Sequence, residues 1–553
     1  MFPLPTLKEE QAVRGGVCRA VARRVQPRGH IIKRVNMAIT SLNSLFFGKS
    51  GITGGEVSNI SSLPLCQRLC IKDLLSAVES FGAKPANASH SGALQALRVP
   101  GGSYELEAGV GEVTDMILVR LSLPSGLVAG VNLEDALEEP LKQMVVNFED
   151  WMLQDANTWG SLAEVASLVK PYDDPSLSSH TQYLKFLRHL HTCGILGTSN
   201  ACRGRVGAFC VTKKSKVVNG EVQHRQRLIL DCRQVNMAFR EPPRSELGSL
   251  SALCELELGE NEVLYCGGSD IQDCFYAARI SERLSDLFCL THDITYTEAL
   301  DIFGDQHVCV GPSGLVSPCI TVLPMGFSWS FYLIQKLHEQ SASRALGTSR
   351  DDLVLEGYPA PSLVGGKSLA MPYCDNVHCL STSRQECNAG LELMCKDLQN
   401  MGFSLHEDCA ANDFFQTLGG VVDGKEGKVK PTPTRAWNIL LAFESLLSGK
   451  VDWVSLRKLL GHAMTICTLC RPGMSIFRAL YDFVEKAPPP RPLHKKERRE
   501  VEIFVGLLPV LYGDLRRPWS EKVFCSDASP EGFGVCASGA SSKHWPLAGE
   551  MAL

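Results

Sequence analysis

Apolar and polar positions follow a helical spacing in some stretches of the chain and a strand-like pattern in others. The stretch 181–196 has apolar residues three and four positions apart, which predicts a helix. Residues 206–214 and 226–232 are rich in β-prone residues, and Asn219-Gly220 between them is typical of a hairpin turn. We therefore expect a helix followed by a two-stranded hairpin.

The central region continues with strands and helices in irregular order. The pattern predicts a buried strand running into a loop or helix over 262–280, a helix over 330–346, two short strands around a turn over 369–383, and a helix over 383–402. A doubly wound sheet would need strands and helices in regular alternation. The mixed order therefore predicts the α+β fold class.

The two ends of the chain have a less regular pattern. Residues 1–175 combine a basic arm, a Ser/Gly/Pro-rich stretch and an acidic segment, which predicts an uncharacterised and partly disordered leader. A Pro-rich and charged stretch predicts a linker over 486–520. Strand character resumes in the final segment, 521–553.

The composition narrows the class of protein. The 553 residues are 44% hydrophobic and 21% charged, with no apolar run long enough to cross a bilayer and no signal peptide. The 22 cysteines lack regular spacing, which indicates a reducing compartment. We therefore expect an intracellular protein, cytoplasmic or nuclear, that is neither secreted nor bound to a membrane. Basic residues over 203–240 permit a polyanionic partner despite the net charge of −5.

Two aspartates are candidates for metal-dependent chemistry. Asp270 ends the predicted apolar strand, and Asp375 lies at the tip of the predicted hairpin, in "YCDN". Carboxylates at strand ends can hold Mg²⁺, which takes few protein ligands and completes its shell with water and substrate phosphates. The alternative is an ordinary surface turn, because most aspartates at strand ends cap or solvate turns.

The serial order of five short motifs favours the metal site. They are "RLILDCRQVN", "DIQDCFY", "LPMGFSWSFYLIQ", "YCDN" and "GFSLHEDCAANDFFQTLGGVV", beginning at residues 227, 270, 323, 373 and 402. In this order they resemble the reverse transcriptases of retroelements, with long-terminal-repeat or tyrosine-recombinase retrotransposons as the nearest types. The resemblance covers residues 180–485.

The resemblance implies a right-hand polymerase with fingers, palm and thumb, in which an antiparallel palm sheet packs on helices. Fingers and palm would occupy 176–430, and thumb and connection 431–485. The implied activity is RNA-directed DNA synthesis by two-metal nucleotidyl transfer. Its partners would be an RNA or DNA template with a primer, and deoxynucleoside triphosphates.

The resemblance also implies roles for the residues that match the motifs of the family. Asp270 and Asp375 would be the catalytic ligands of Mg²⁺ or Mn²⁺, the carbonyl of Ile271 would face the metal, and Asn376 would be a weaker catalytic auxiliary. The residues implied in nucleotide binding are Lys213 or Lys214, Arg227, Phe275, Met325 and Gly326. Those implied in primer binding are Leu418 and Gly419.

Phe275 has the most specific of these implied roles. An aromatic ring beside the sugar would clash with a ribose 2′-hydroxyl and so select deoxynucleotides. The alternative is that Phe275 fills the core. Together with the "LPMGF" motif, it favours a reverse transcriptase over an RNA-templated RNA polymerase.

Three positions depart from the pattern of the family. Asn376 stands where a second aspartate is common, Met325 where many relatives have glutamine, and Asp408 where a lysine is usual. Loss of a carboxylate at 376 weakens the attraction for a divalent cation. A second hypothesis therefore stays open, in which the chain is a decayed, inactive protein that binds nucleic acid.

The stretch "FCSDASPEGFGV" resembles the first strand of a ribonuclease H domain, with Asp527 as its first metal ligand. Such a domain needs further acidic residues from later elements. Because few residues follow Asp527 in the sequence, we expect a truncated and inactive domain over 521–553.

Overall fold

The computed structural model describes residues 1–8, 19–86, 88–98, 112–124, 130–218, 221–304, 308–518, 522–529 and 532–539. Its strands, numbered along the chain, are β1 (Thr6–Leu7), β2 (Glu56–Val57), β3 (Val113–Thr114), β4 (Val131–Asn132), β5 (Leu196–Ser199), β6 (Arg205–Val218), β7 (Glu221–Asp231), β8 (Tyr265–Ile271), β9 (Ala278–Arg279), β10 (Cys289–Leu290), β11 (Ile294–Thr295), β12 (Leu315–Ile320), β13 (Leu369–Ala370), β14 (Asn376–Ser381), β15 (Leu405–Asn412), β16 (Phe414–Thr417), β17 (Gly420–Asp423), β18 (Lys428–Pro431), β19 (Gly513–Asp514), β20 (Lys522–Ser529) and β21 (Gly532–Gly539).

The helices, numbered in the same way, are α1 (Arg19–Phe47), α2 (Leu65–Phe81), α3 (His90–Arg98), α4 (Leu133–Ala136), α5 (Leu141–Val146), α6 (Phe148–Trp151), α7 (Ala156–Leu168), α8 (His180–Thr192), α9 (Arg233–Ala238), α10 (Leu250–Leu253), α11 (Cys274–Ala277), α12 (Glu282–Ser285), α13 (Tyr296–Phe303), α14 (Ser330–Leu346), α15 (Arg384–Met401), α16 (Pro433–Ser445), α17 (Trp453–Cys467), α18 (Arg478–Lys486) and α19 (Lys495–Leu507). Within the described residues, no helix is both long enough and apolar enough to span a membrane.

The mixture of helices and sheets confirms the predicted α+β class. The helices predicted from 181–196, 330–346 and 383–402 are α8, α14 and α15, and the last of these ends at Gly402, whose φ of +106° suits glycine. The predicted hairpin is β6–β7, whose strands pair antiparallel. Its turn residues Asn219 and Gly220 lie outside the described residues.

A four-stranded antiparallel sheet lies at the centre of the largest core, with the strand order β13-β14-β8-β15. Helix α15 packs on three of its strands, and α14 packs on α15 and β13. Val377 and Ile271 of the sheet share a buried cluster with Leu337 of α14 and Leu391 of α15. The two central strands, β8 and β14, are therefore anchored by helices on one face.

The hairpin β6–β7 belongs to a different sheet, of seven strands, in which β6 also pairs with β3 and β10. Alternate residues of the hairpin, such as Ala208, Cys210, Leu228 and Leu230, are buried. This alternation is the pattern of a sheet that packs one face on a core.

The described part of the predicted leader, residues 1–175, differs from that prediction because much of it packs on the rest of the chain. Val145, Phe148 and Met152 are buried in the same core as the central sheet, and β3 pairs with β6. Helices α1 and α3 pack on α19 and α16 respectively. The apolar residues of these elements are buried against the rest of the chain, which the Ser/Gly-rich composition of 1–175 did not indicate.

The segment 486–520 also differs from its prediction as a linker. It contains α19, and Val501, Phe504 and Leu508 are buried in a helical core shared with α16, α17 and α18. The Pro-rich stretch precedes this helix. The apolar residues of α19 repeat at helical spacing, and burial of that face stabilises the helix despite the neighbouring prolines.

Strands β20 and β21 form a two-stranded antiparallel ribbon in which Asp527 lies opposite Gly534. The side chain of Asp527 and residues 540–553 lie outside the described part of the chain. The resemblance of this ribbon to the start of a ribonuclease H domain stays a prediction.

Candidate metal and nucleotide site

Asp270 and Asp375 meet at one end of the central sheet. Asp270 is the penultimate residue of β8, and its cross-strand partner on β14 is Asn376. The backbone N–H of Ile271 donates to the carbonyl of Asp375 (2.8 Å), which fixes the register of the two strands at this end. The structure thus brings together the two aspartates that the sequence selected: Asp270 near the end of β8, and Asp375 in the turn directly before the neighbouring antiparallel strand β14.

The carboxyl group of Asp270 lies in an environment that disfavours its charge. Burial raises its pKa to about 7, with a further rise from the negative charge of Asp375 and an opposing effect from His406. Its Oδ1 atom is buried and has no hydrogen-bond partner among the described residues. A buried carboxylate oxygen without a hydrogen-bond donor has nothing to compensate its negative charge.

The two carboxylates fit a magnesium or manganese ion. Among the described residues, no group of three or more His, Cys, Asp and Glu could hold a metal ion. Mg²⁺ does not need such a group, because one or two carboxylates with water and substrate phosphates complete its octahedron. The unpartnered oxygen of Asp270 is the position that a cation would satisfy.

Asn376 contacts Asp375 through its side chain. Its Nδ2 atom donates a hydrogen bond to Oδ1 of Asp375 (3.0 Å). Burial raises the pKa of Asp375, and this hydrogen bond is among the interactions that oppose the rise. The residue that replaces the common second aspartate therefore orients the first one.

His406 lies opposite Asp270, on the neighbouring strand β15. Its Nδ1 atom donates to the backbone carbonyl of Asp270 (3.1 Å), and its Nε2 atom lies 3.7 Å from Oδ2 of the same residue. The carboxylate of Asp408 instead accepts a hydrogen bond from the hydroxyl of Ser269. From the sequence, His406 is identified only as a residue within the last motif.

The β6–β7 hairpin contributes positive charge to the site. Arg227 and Lys213 both oppose the rise in the pKa of Asp375 that burial causes. Arg227 pairs with Val211 across the hairpin, and Lys213 pairs with Arg225, so these side chains share the face opposite the buried one. The side chain of Lys214 lies outside the described part of the chain.

Phe275 lies on the short helix α11, directly after β8. Asp273 precedes this helix with a φ of +47°, and the ring of Phe275 is half-buried against the main core. The partial exposure is compatible with both interpretations of Phe275, as a contact of the nucleotide sugar and as a core residue.

Met325 and Gly326 form a turn that docks on the end of β7. The backbone N–H of Leu230 donates to the carbonyl of Met325 (2.9 Å). Gly326 has a φ of +129°, and a Cβ atom there would lie 2.0 Å from the carbonyl oxygen of Leu230. Asn236 donates to the carbonyl of Gly326 (2.9 Å) and accepts from the N–H of Ser328 (3.0 Å). Gly326 is thus required by close packing.

Leu418 and Gly419 form the two-residue turn of the β16–β17 hairpin, in which Thr417 pairs with Gly420. Both turn residues have positive φ, +46° and +74°. The hydroxyl of Thr417 is hydrogen-bonded to Nε2 of His378 on β14 (2.7 Å). The predicted primer-binding turn is therefore tied to the strand that begins at Asn376.

Two residues that contact the turn 373–376 were not predicted from the sequence. Gln335 and His338 of α14 are fully buried and hydrogen-bonded to the backbone of Cys374. The available signal was a pair of polar residues three positions apart on an otherwise apolar helix face.

Comparison with known proteins gave no match to a family model, and none among the curated proteins. Three solved structures of a foamy viral protease-reverse transcriptase are similar to this chain. One, of the dRH form in complex with ds DNA, has a TM-score of 0.42 and 14% identity, covering 87% of this chain and 64% of that chain. Another, in complex with an RNA/DNA hybrid, has a TM-score of 0.41 and 14% identity, covering 87% of this chain and 51% of that chain.

The third, in complex with dsDNA, has a TM-score of 0.40 and 13% identity, covering 88% of this chain and 80% of that chain. The chain thus spans 64% and 51% of the first two structures. Similarity this low carries no weight for the activity. We therefore infer the function from the residues of the site.

Proposed function

We propose that this chain is an RNA-directed DNA polymerase of the reverse transcriptase type, derived from a retrotransposon. The observation that carries the proposal is the pair Asp270, on β8, and Asp375, in the turn before the neighbouring strand β14, with a buried oxygen of Asp270 that lacks a partner within the described residues. The central sheet would be the palm, the β6–β7 hairpin the fingers, and helices α16, α17 and α18 the thumb.

Asp270 and Asp375 would hold Mg²⁺ or Mn²⁺ through carboxylate oxygens, the ligands that these ions prefer. The bound ions would activate the 3′-hydroxyl of the primer and neutralise the charge of the leaving pyrophosphate. The hydrogen bond from Asn376 would hold the carboxylate of Asp375 in one orientation. Ile271 would add its carbonyl to the ligands.

The nucleotide would bind between the hairpin and the sheet. Lys213 and Arg227 carry charges that act on Asp375, so they would bind the triphosphate close to the metal. Phe275 would contact the sugar and exclude ribonucleotides. Gly326 would let the backbone approach the template or the nucleotide. Leu418 and Gly419 would hold the primer terminus.

Primer extension on an RNA template with Mg²⁺ or Mn²⁺ tests this proposal. Asp375→Ala and Asp270→Ala should each reduce extension by more than about 100-fold, because the charge stabilisation lost amounts to several kcal/mol. The matched control is Asp301→Asn, an exposed carboxylate of α13 that pairs with Arg188. The control should extend like the wild type. Equal extension by wild type and Asp375→Ala would contradict the proposal.

A protein that binds nucleic acid without catalysis is the second candidate. One observation favours it, namely Asn376 in place of a second carboxylate. It predicts that an RNA/DNA hybrid binds with a salt-dependent affinity, while neither metal supports extension. Extension that depends on Asp375 would exclude it.

A further inference from the structure

The turn that carries Asp375 contains an energetically unfavourable backbone conformation. Tyr373 and Asn376 exchange two backbone hydrogen bonds (3.2 and 2.8 Å), so Cys374 and Asp375 are the two residues of a tight loop. Cys374 has a φ of +50°, in the left-handed region that side chains disfavour. Some other part of the fold must stabilise this conformation.

Two side chains of α14 bind the backbone of Cys374. Its N–H donates to Oε1 of Gln335 (2.8 Å), and its carbonyl accepts from Nδ1 of His338 (2.8 Å). Cys374 is only 4% exposed, so these groups have no access to bulk water. Without the two side chains they would be buried and unpaired, which is unfavourable.

Gln335 and His338 are themselves held in place. They lie three residues apart on one face of α14 and are fully buried. The amide nitrogen of Gln335 donates to the carbonyl of Pro372 (3.2 Å) and to Oε1 of Glu339 (3.2 Å), which fixes the amide orientation. Burial lowers the pKa of His338 to about 4, so the imidazole is neutral and Nδ1 carries its proton.

We propose that Gln335 and His338 are positioning residues that hold Cys374 in its left-handed conformation and thereby direct the carboxylate of Asp375 into the metal site. This inference rests on the proposed polymerase function. Loss of either contact would let Cys374 relax toward negative φ, and Asp375 would turn with it. A small displacement of a metal ligand costs a large factor in rate.

The variants are chosen to separate positioning from simple core packing. His338→Leu removes the donor, whereas the amide of His338→Asn can replace Nδ1. Gln335→Met removes the acceptor at similar length. Cys374→Gly, combined with His338→Leu, makes the left-handed conformation accessible without a clamp, because glycine adopts positive φ freely.

Steady-state primer extension by the full chain is the first measurement. His338→Leu and Gln335→Met should lower kcat between about tenfold and 100-fold, with the KM for the nucleotide and the affinity for template-primer within about twofold of wild type. His338→Asn should retain most of the activity, and Cys374→Gly should restore part of it to His338→Leu. The control is His189→Leu, on α8. Among the described residues, Nε2 of His189 lacks a hydrogen-bond partner, as does Nε2 of His338.

Mn²⁺ binding, followed by water proton relaxation, is the second measurement and does not depend on activity. Mn²⁺ should bind the wild type but not Asp375→Ala, and His338→Leu should bind it about tenfold more weakly. Mn²⁺ binding without extension would overturn the polymerase proposal alone, and positioning would then be judged by the Mn²⁺ affinities. Equal kcat and equal Mn²⁺ affinity in wild type and His338→Leu would overturn the positioning proposal, as would no difference between His338→Leu and His338→Asn. Absence of both binding and extension in the wild type would overturn both proposals.

Discussion

Two tight turns of the molecule, 373–376 and 417–420, stabilise the same unfavourable backbone conformation through different contacts. Each contains a residue other than glycine in the left-handed region, with φ of +50° at Cys374 and +46° at Leu418. Cys374 is buried, and its two backbone polar groups bind side chains of a neighbouring helix. We call 373–376, which carries the proposed metal ligand Asp375, the catalytic turn, and 417–420 the second turn.

The second turn is held mainly by backbone contacts. Leu418 is half-buried, and the carbonyl of Gly419 accepts from the N–H of Thr432 (3.2 Å). The turn is linked to β14, the strand that follows Asp375, by the hydrogen bond between Thr417 and His378. The proposed function gives this difference a physical reason: a metal ligand would tolerate little displacement, whereas a turn that held the primer could move with it.

The largest expected effect comes from valine at both left-handed positions. A β-branched residue is a severe outlier at positive φ. Cys374→Val should reduce primer extension by more than about 100-fold, because the buried turn cannot shift without moving Asp375. Leu418→Val should reduce it by less than about tenfold. Cys374→Ala and Leu418→Ala are the controls for lost volume without branching.

Primer extension and the unfolding temperature are measured for all four variants. The comparison between the turns fails if the two valine variants lose extension to the same degree while remaining folded. It also fails if each alanine variant loses as much as its valine counterpart, because volume and not backbone conformation would then explain the losses.

The sequence predicted the elements of this site better than it predicted their support. The hydrophobic pattern identified α14, α15 and the β6–β7 hairpin, and the turn at Asp375 followed from its flanking strands. The contacts of Gln335 and His338 could not be predicted, because their partners are backbone atoms of Cys374, which lies 39 and 36 residues further along the chain. Polar residues on a helix read as exposed unless the tertiary structure shows what they bind.

The linker prediction failed for a related reason. Proline and charge over 486–494 dominated the interpretation of 486–520, whereas the following helix α19 is stabilised by burial against α1 and α16. Those partners come from both ends of the chain. The prolines over 486–494 therefore indicated a segment without a helix, but local composition did not show which elements bury the apolar face of α19.

A medium effect is expected where the two turns are linked. Thr417→Val removes the hydroxyl that binds His378 and leaves Nε2 of a buried histidine without this partner. We expect a loss of about 2 kcal/mol in the free energy of unfolding, because a buried polar group becomes unsatisfied. Thr417→Ser keeps the hydroxyl and is the control. Chemical denaturation measures both variants.

The effect of Thr417→Val on activity tests whether the link matters for the site. If the hydrogen bond couples the two turns, primer extension by Thr417→Val should fall together with its affinity for the primer. A loss of stability without any change in primer affinity would show that the hydrogen bond serves the core alone, and the two turns would then act independently.

The smallest expected effect is the pH dependence of stability that the two buried histidines cause. Burial lowers the pKa of His338 and of His378 to about 4, against an ordinary value of 6.5. Between these values the unfolded chain binds more protons than the folded protein, so stability is complete above pH 6.5 and is lost as the pH falls toward 4. At pH 6 each histidine should account for about 1 kcal/mol or less.

His378→Gln should flatten this dependence by the share of one histidine, and His338→Asn by a similar amount, in denaturant titrations between pH 7.5 and 5.5 that follow the free energy of unfolding. His378 binds the second turn and His338 the catalytic turn, so equal slopes would mean that both side chains are sealed from water to the same extent. A steeper contribution from His338 would instead mean that the catalytic turn is the better sealed of the two. No change of slope in either variant would show that both histidines bind protons in the folded protein as readily as in the unfolded chain, which would contradict the lowering of their pKa by burial.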